Sequence, residues 1–374
     1  MSYPTKKLWE ICELYQPKTI SKKEMIDNWK YVVFWANWII WRYNNFNHKD
    51  KEILITCRWA TCWNINISDK YSWINWNAMV SHIINKNELD FLYLFYCFKY
   101  IDFSKVISGS AQPQITRIWL VDIQIPLPPL PTQKLIVQKL DSAFKNIDES
   151  IKITKKNIEN IEELNKSVLE DILKRFENKI TTIDRIAEKV QYWYTWKTIE
   201  KWKYRYLRIT DIQKNNIIWK KVPFVWIEEN EAEKYLLNIW DIVFARTWAT
   251  VWKSCLIDER WLWNIFASYL IRIVSKKDLI FSDFLKYFFY SQYYWEQVYE
   301  DVVWAAQPNF NWTKLKKIKI PLPPLSKQKE IVLYLDEVFE KNKVIKELYE
   351  KKLKDLEEMK QSILKEAFEG RLVE

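Results

Sequence analysis

The chain has 374 residues, is 49% hydrophobic and 28% charged, and carries a formal net charge of +10. That length suits two or three domains with sizeable cores, and the positive balance suits a polyanionic partner, most simply nucleic acid. Five Cys without CxxC spacing and only two His, His48 and His82, argue against a disulfide framework, a zinc site or His-based catalysis.

In chain order, residues 1–125 mix short β-rich runs with loops. Strands are expected at 30–34 and 52–57, and a helix over the aromatic run Asp90 to Tyr96. The segment Ile125-Pro-Leu-Pro-Pro-Leu130 ends this part. From 132 to 175 apolar side chains recur in steps of three and four, a heptad-like helical stripe. The text then repeats. Strands are expected at 204–209 and 241–245, and an aromatic helix over Asp283 to Tyr290. Ile320-Pro-Leu-Pro-Pro-Leu325 returns at a displacement of 195 positions, as do Ala306-Gln307-Pro308 for Ala111-Gln112-Pro113. A second helix should cover 326–369, with Ser326 as its N-cap.

The expected fold class is therefore α+β: two mixed β-rich globular domains, 1–125 and 177–320, separated by two long helical segments, 126–176 and 321–374. Each helix is 44 residues long, about 66 Å at 1.5 Å per residue. Equal lengths and matching stripes suit an antiparallel coiled coil. Ile136, Leu140, Ile147, Ile151, Ile158 and Ile161 should face Ile331, Leu335, Val338, Leu356, Met359 and Ile363. The apolar runs, such as residues 91–98, fall far below the ~18 residues that span a bilayer. The N-terminus lacks the features of a secretory signal. A cytoplasmic protein without membrane contact is expected.

The chain holds 23 Trp and 2 Gly, together about 7% of its residues, the ordinary share of Gly alone. Many Trp stand in turn vocabulary, as in Asn28-Trp29-Lys30, Ala36-Asn37-Trp38 and Asn238-Ile239-Trp240-Asp241. Gly109 also aligns with Trp304 across the repeat. The expectation is that most Trp are mis-decoded Gly, from UGA codons read with the wrong table; the alternative is a truly Trp-rich chain. Trp73 beside Tyr71 and Trp295 after Tyr293-Tyr294 have the aromatic settings of genuine indoles.

Restoring Gly turns Thr247–Ser254 into T-G-A-T-V-G-K-S, which imitates a phosphate loop. The spacing is wrong, because three residues rather than four separate the Gly positions 248 and 252. The stretch reads better as a β-turn presenting Arg246, Thr247, Thr250 and Lys253. No amino-methyltransferase [DN]PP[YF] box, helicase box, nuclease-like carboxylate cluster or Gly-rich cofactor loop is present, which weighs against an enzyme and against any cofactor or metal.

The doubled I-P-L-P-P-L-x-x-Q-K-x-I-V at 125–137 and 320–332 resembles the junction in specificity subunits of type I restriction-modification systems. Gly-Ser-Ala-Gln-Pro-Gln at 109–114, the R-G-A-T-x-G turns with Gly restored, and Ala367-Phe-Glu-Gly-Arg-Leu372 fit the same pattern. The resemblance covers nearly the whole chain. The first domain is shorter than the second. The resemblance implies two target recognition domains reading the halves of a split double-stranded DNA site. It also implies spacer helices that dock methyltransferase subunits, two in number, and through them a restriction-translocase subunit. The competing reading is a self-contained DNA methyltransferase or nuclease, which S-adenosylmethionine binding by the isolated chain would reveal. Side chains expected to touch DNA lie on the paired turns and their neighbours: Asn37, Arg42, Tyr43, Arg58 and Thr61 in the first domain, and Tyr194, Thr195, Lys197, Arg208, Arg246, Thr250 and Lys253 in the second.

Overall fold

The computed structural model describes the chain except residues 1–2, 26–29, 36–37, 59–61, 104–106, 109–113, 193–196, 202, 214–215, 219, 221, 246–253, 303–311 and 374. The chain divides into two compact units, Met1–Lys155 with Glu350–Glu374, and Lys156–Tyr349.

In the first unit, strands β1 (Thr5–Lys7), β2 (Cys12–Tyr15), β3 (Tyr31–Trp35), β4 (Trp38–Tyr43), β5 (Ile53–Thr56), β6 (Ile65–Ile67), β7 (Trp73–Ile74) and β8 (Ala78–Ile83) precede helix α1 (Phe91–Tyr100), strand β9 (Gln124–Pro126) and the long helix α2 (Leu130–Lys174). A four-stranded sheet runs β2-β8-β5-β6, and a three-stranded sheet runs β4-β3-β7. Alternation decides the faces. Ile53 and Ile55 join Met79 and the buried Tyr93 of α1 in one core, while Leu54 and Val80 turn to Phe34 and Ile74 of the smaller sheet.

The second unit repeats the plan. Its elements are β10 (Ile180–Thr182), β11 (Ala187–Gln191), β12 (Thr198–Ile199), β13 (Tyr204–Leu207), β14 (Phe224–Val225), β15 (Ile242–Ala245), β16 (Ser254–Leu256), β17 (Ile265–Phe266) and β18 (Leu270–Ser275). Helices α3 (Ser282–Tyr290) and α4 (Gln292–Val302), strand β19 (Lys319–Pro321) and the long helix α5 (Leu325–Phe368) follow. The sheet β11-β18-β15-β16 has the strand order of β2-β8-β5-β6, and a second sheet runs β12-β14-β13-β17. A two-stranded tie closes each β-rich part, β1 with β9 and β10 with β19. The strands expected from sequence are present with ends shifted by one or two residues. Ser326 lies inside the first turn of α5, because the helix begins one residue earlier, at Leu325.

Within each unit the long helices lie head to tail. Ile136 and Leu140 near the start of α2 share a core with Leu364, Ala367 and Phe368 at the end of α5. Leu169, Ile172 and Leu173 at the end of α2 share another with Ile331 and Leu335 at the start of α5. Ile136, Leu140, Ile147, Ile151, Ile331 and Leu335 are buried; Ile158, Ile161, Val338, Leu356 and Ile363 are half-buried, and Met359 is 53% exposed. Polar groups share the seam: Asn342 Nδ2 donates to Asn165 Oδ1 at 2.6 Å, and Lys346 pairs with Glu162 at 2.5 Å. Gly370 ends α5 with φ 84°, and the amides of Arg371 and Leu372 return to Glu366 O, as a left-handed cap requires.

The repeated junction has one polar residue with a structural task. Gln133 is fully buried. Its Nε2 donates to Glu88 O and Pro128 O at 2.9 and 2.8 Å, and its Oε1 accepts from Asp90 N at 2.8 Å. Gln328 does the same with Leu279 O, Pro323 O and Phe281 N at 3.0, 2.8 and 2.8 Å. Each side chain therefore clamps the loop before the aromatic helix to the Pro-rich stop. Replacing Gln328 by Leu strands three backbone groups, so a loss of roughly 3 kcal/mol is expected in denaturant unfolding, at about 1 kcal/mol per buried unmet group. A loss under 0.5 kcal/mol would show that water replaces the clamp.

Among the described residues four non-Gly residues have positive φ, and three are Trp: Trp63 at 75°, Trp240 at 76° and Trp263 at 65°, beside Tyr71 at 55°. All three indoles are exposed, from 43% to 61%. By contrast, Trp73 meets Tyr43 edge-on at 5.1 Å, Trp295 meets Tyr294 at 5.1 Å, and Trp261 is 2% exposed.

Candidate nucleic-acid interface

Five of the side chains expected to reach DNA fall among the described residues. Arg42 and Tyr43 end β4. Arg42 is exposed and donates from Nη1 to Lys30 O at 3.1 Å, and Tyr43 is braced by Trp73. Arg58 lies two residues past the end of β5, is exposed, and lays its guanidinium 3.9 Å above the Trp76 ring. Its backbone forms an antiparallel bridge to Gln114. Lys197 is exposed just before β12. Arg208 is engaged sideways by Asp211, Nε to Oδ2 at 3.0 Å and Nη2 to Oδ1 at 2.9 Å, with the carboxylate 2% exposed. A fork so fixed loses little freedom on binding. Asn37, Thr61, Tyr194, Thr195, Arg246, Thr250 and Lys253 lie outside the described residues. Thus β4 brings Arg42 and Tyr43 together, Arg58 lies just past the end of β5 in the same unit, and Lys197 and Arg208 belong to the other unit.

Sequence reasoning missed the buried charges beneath these surfaces. In the second unit Arg272, 4% exposed, pairs with Asp241 at 2.6 Å and donates to Gln191 Oε1 at 2.8 Å. Burial pushes the Asp241 carboxyl up, against the pull of Arg272 and the amide of Asn238. Arg272 floors an open cleft of about 710 Å³ rimmed by Lys189, Lys203 and Lys234 together with Glu188, Glu229 and Glu233. In the first unit Glu52, 6% exposed, meets His82 at 2.8 Å beside a cleft of about 460 Å³. A signal existed: Glu52 and Asp241 each stand directly before an apolar strand in corresponding parts of the repeat. Gln133 and Gln328 were also visible, as a polar residue recurring inside an apolar stripe. Among the described residues no helix is long and apolar enough to cross a membrane.

Residues 2–163 and 194–354 each match the family described as the type I restriction modification DNA specificity domain. The chain belongs to this family. Its members' role is DNA recognition within a larger assembly rather than catalysis, and the doubled match corresponds to the two sheet-and-helix units.

Relatives within the family are distant. The MjaVIII type I restriction enzyme specificity subunit of Methanocaldococcus jannaschii is 28% identical over 307 residues, covering 74% of this chain and 68% of the relative. The EcoKI specificity subunit of Escherichia coli K12 is 25% identical over 295 residues, covering 72% and 62%. Among solved structures, a chain from work on complex assembly and conformational transition of the type I restriction-modification system superposes with a TM-score of 0.76, at 16% identity and over 99% and 98% of the two chains. The HsdS subunit from Thermoanaerobacter tengcongensis gives 0.55 at 16% identity, over 99% and 97%. At such identities the likeness is one of fold.

Proposed function

We propose that this chain reads a split double-stranded DNA target, one half per β-rich unit, while its long helices dock two methyltransferase subunits and through them a restriction-translocase subunit, in the cytoplasm. On this reading residues 1–125 and 177–320 are the recognition domains and 126–176 and 321–374 the spacer helices. The observation that carries the reading is the duplication itself: two four-stranded sheets of the same strand order, each followed by an aromatic helix and a Gln-clamped junction. Two equivalent readers in one chain call for two half-sites. Methylation mapping in cells carrying the subunit and its methyltransferase should return a bipartite motif with unread bases between its halves. A continuous motif would overturn the proposal.

Which side chains read bases is a second part of it. Basic groups that touch phosphate give affinity without sequence, whereas forks on base edges give sequence. Arg246→Ala should cost about 1–3 kcal/mol and relax preference at one base pair. Uniform weakening across all targets, with a shallower salt slope, would assign Arg246 to phosphate instead.

The Trp positions belong to the same proposal. Trp63, Trp240 and Trp263 in left-handed backbone with exposed indoles support their being Gly in the functional protein. UGG codons at these positions would sink the idea.

A further inference from the structure

The seam between the two long helices differs between the units, although the helices are copies of one another. Helix α5 repeats α2 at the displacement of 195 without a gap, from Leu130 and Leu325 to Leu169 and Leu364. In the second unit Asn165 of α2 accepts from the buried Asn342 of α5 at 2.6 Å, and Glu162 meets Lys346 one turn away. The counterparts of Asn342 and Lys346 in α2 are Ile147 and Ile151, and the counterpart of Asn165 in α5 is Lys360. In the first unit both isoleucines are buried. Half-buried Lys360 there pairs with Asp148 and lies 5.7 Å from the Phe144 ring centre. One register thus holds both ends of the seam, with an amide pair at one end and an apolar and ionic contact at the other.

Because α2 and α5 are copies, α2 also fits the α2 of a second chain in the same antiparallel register, and α5 fits α5. The register states what such pairs would bring together. In an α2–α2 pair each Asn165 would face Ile147 of the other copy, and each Glu162 would face Ile151. In an α5–α5 pair Lys360 would exchange Asp148 for its counterpart, Lys343, a like charge. The α2–α5 pair alone gives every one of these groups a partner. A buried amide left without a partner is costly, whereas hydrocarbon in place of both amides is close to neutral.

We propose that the Asn165–Asn342 pair, with Lys360 and Asp148 at the other end of the seam, is a pairing code that commits α2 to α5 and refuses the α2 of a second copy of this chain. The tether between the helices then favours α5 of the same chain, through its high effective concentration. An all-apolar seam would hold the two helices as firmly but would not tell like from unlike. A polar group inside a helical seam sets the choice of partner at some cost in stability. The code keeps one chain's two different β-rich parts on a single seam, where α2–α2 pairing would join two like parts. The inference stands apart from DNA reading and does not depend on it.

Self-association of the full-length chain tests the code. The variant with Asn165→Leu, Asn342→Leu and Lys360→Leu keeps an apolar seam within the chain and should unfold no earlier than the parent. In sedimentation velocity it should self-associate at least about thirtyfold more strongly, because two amides per α2–α2 pair no longer face hydrocarbon. A thiol at Asn157, close to Lys156 where an α2–α2 pair would centre, identifies the contact. The native cysteines are buried, so this thiol is the reactive one. A short bismaleimide should join two copies through position 157 in the variant, and not in the parent carrying the same thiol. Asn165→Glu with Asn342→Lys renews the code as an ion pair and should stay monomeric. Should the triple variant fail to fold, Asn165→Leu with Asn342→Leu carries the same expectation. The proposal is overturned if the folded apolar variants stay as monomeric as the parent, if they associate without a crosslink at 157, or if the ion-pair variant associates equally. Failure of both apolar variants to fold would assign the amide pair to stability alone and overturn it as well.

Discussion

Asp241→Ala is expected to cost about 3–5 kcal/mol. Removing one partner of a buried ion pair leaves the other without compensation. Arg272 is 5% exposed at its side chain, and its Nε has no partner even with Asp241 in place. Against an ordinary stability of about 5–15 kcal/mol, such a loss takes a large part of the margin. Urea unfolding followed by tryptophan fluorescence measures it. The double variant Asp241→Leu with Arg272→Met should recover most of the loss, because no charge is then left in the interior. A single-variant loss below about 1 kcal/mol would mean that the site admits water. The exposed pair Lys203–Glu229 is the control, and breaking it should change nothing measurable.

The second large effect runs the other way. Converting Trp63, Trp240 and Trp263 together to Gly should stabilise the protein by about 3 kcal/mol. A side chain with a Cβ in left-handed backbone costs of order 1 kcal/mol or more per residue, and exposed indoles return little to offset it. The gain is tempered by the extra chain entropy that Gly brings to the unfolded state. The second unit holds two of the three positions, so its thermal transition should rise by roughly 4–8 °C. Alanine at the same positions keeps the Cβ and should give much less. Equal gains from Ala and Gly would show that the indole, not the dihedral angle, was the burden. Trp261→Gly is the opposite control, since that indole is buried and its removal opens a cavity.

Much of the architecture could be read without coordinates because it rests on local pattern. The alternation in Tyr204–Leu207 and the apolar run Ile242–Ala245 mark strands, and the absence of Gly and Pro inside 132–174 lets a stripe of Ile and Leu run as one helix. The repeated Pro-rich junction announced the duplication, which in turn announced two equivalent sheets. Asp211 at three residues from Arg208 was also within reach, as a spacing that lets a carboxylate meet a fork one turn away.

The interior charges were decided elsewhere. Nothing in the sequence next to Arg272 marks a partner for it. Its partner Asp241 is brought to it only when β18 pairs with β15, and Gln191 only when β11 pairs on the other side. The same holds for Tyr15 with His48, and for Gln133, whose partners are loop carbonyls and an amide. Sequence by itself determined the number of units, the order of their elements and the basic, non-catalytic character of the chain, since hydrophobic period, turn residues and net charge are properties of neighbours along the chain. Which polar side chains are withdrawn from water, and which remain exposed, was decided by tertiary structure alone. Desolvation and pairing depend on what lies across a sheet, tens of residues away, and no local spacing encodes that distance.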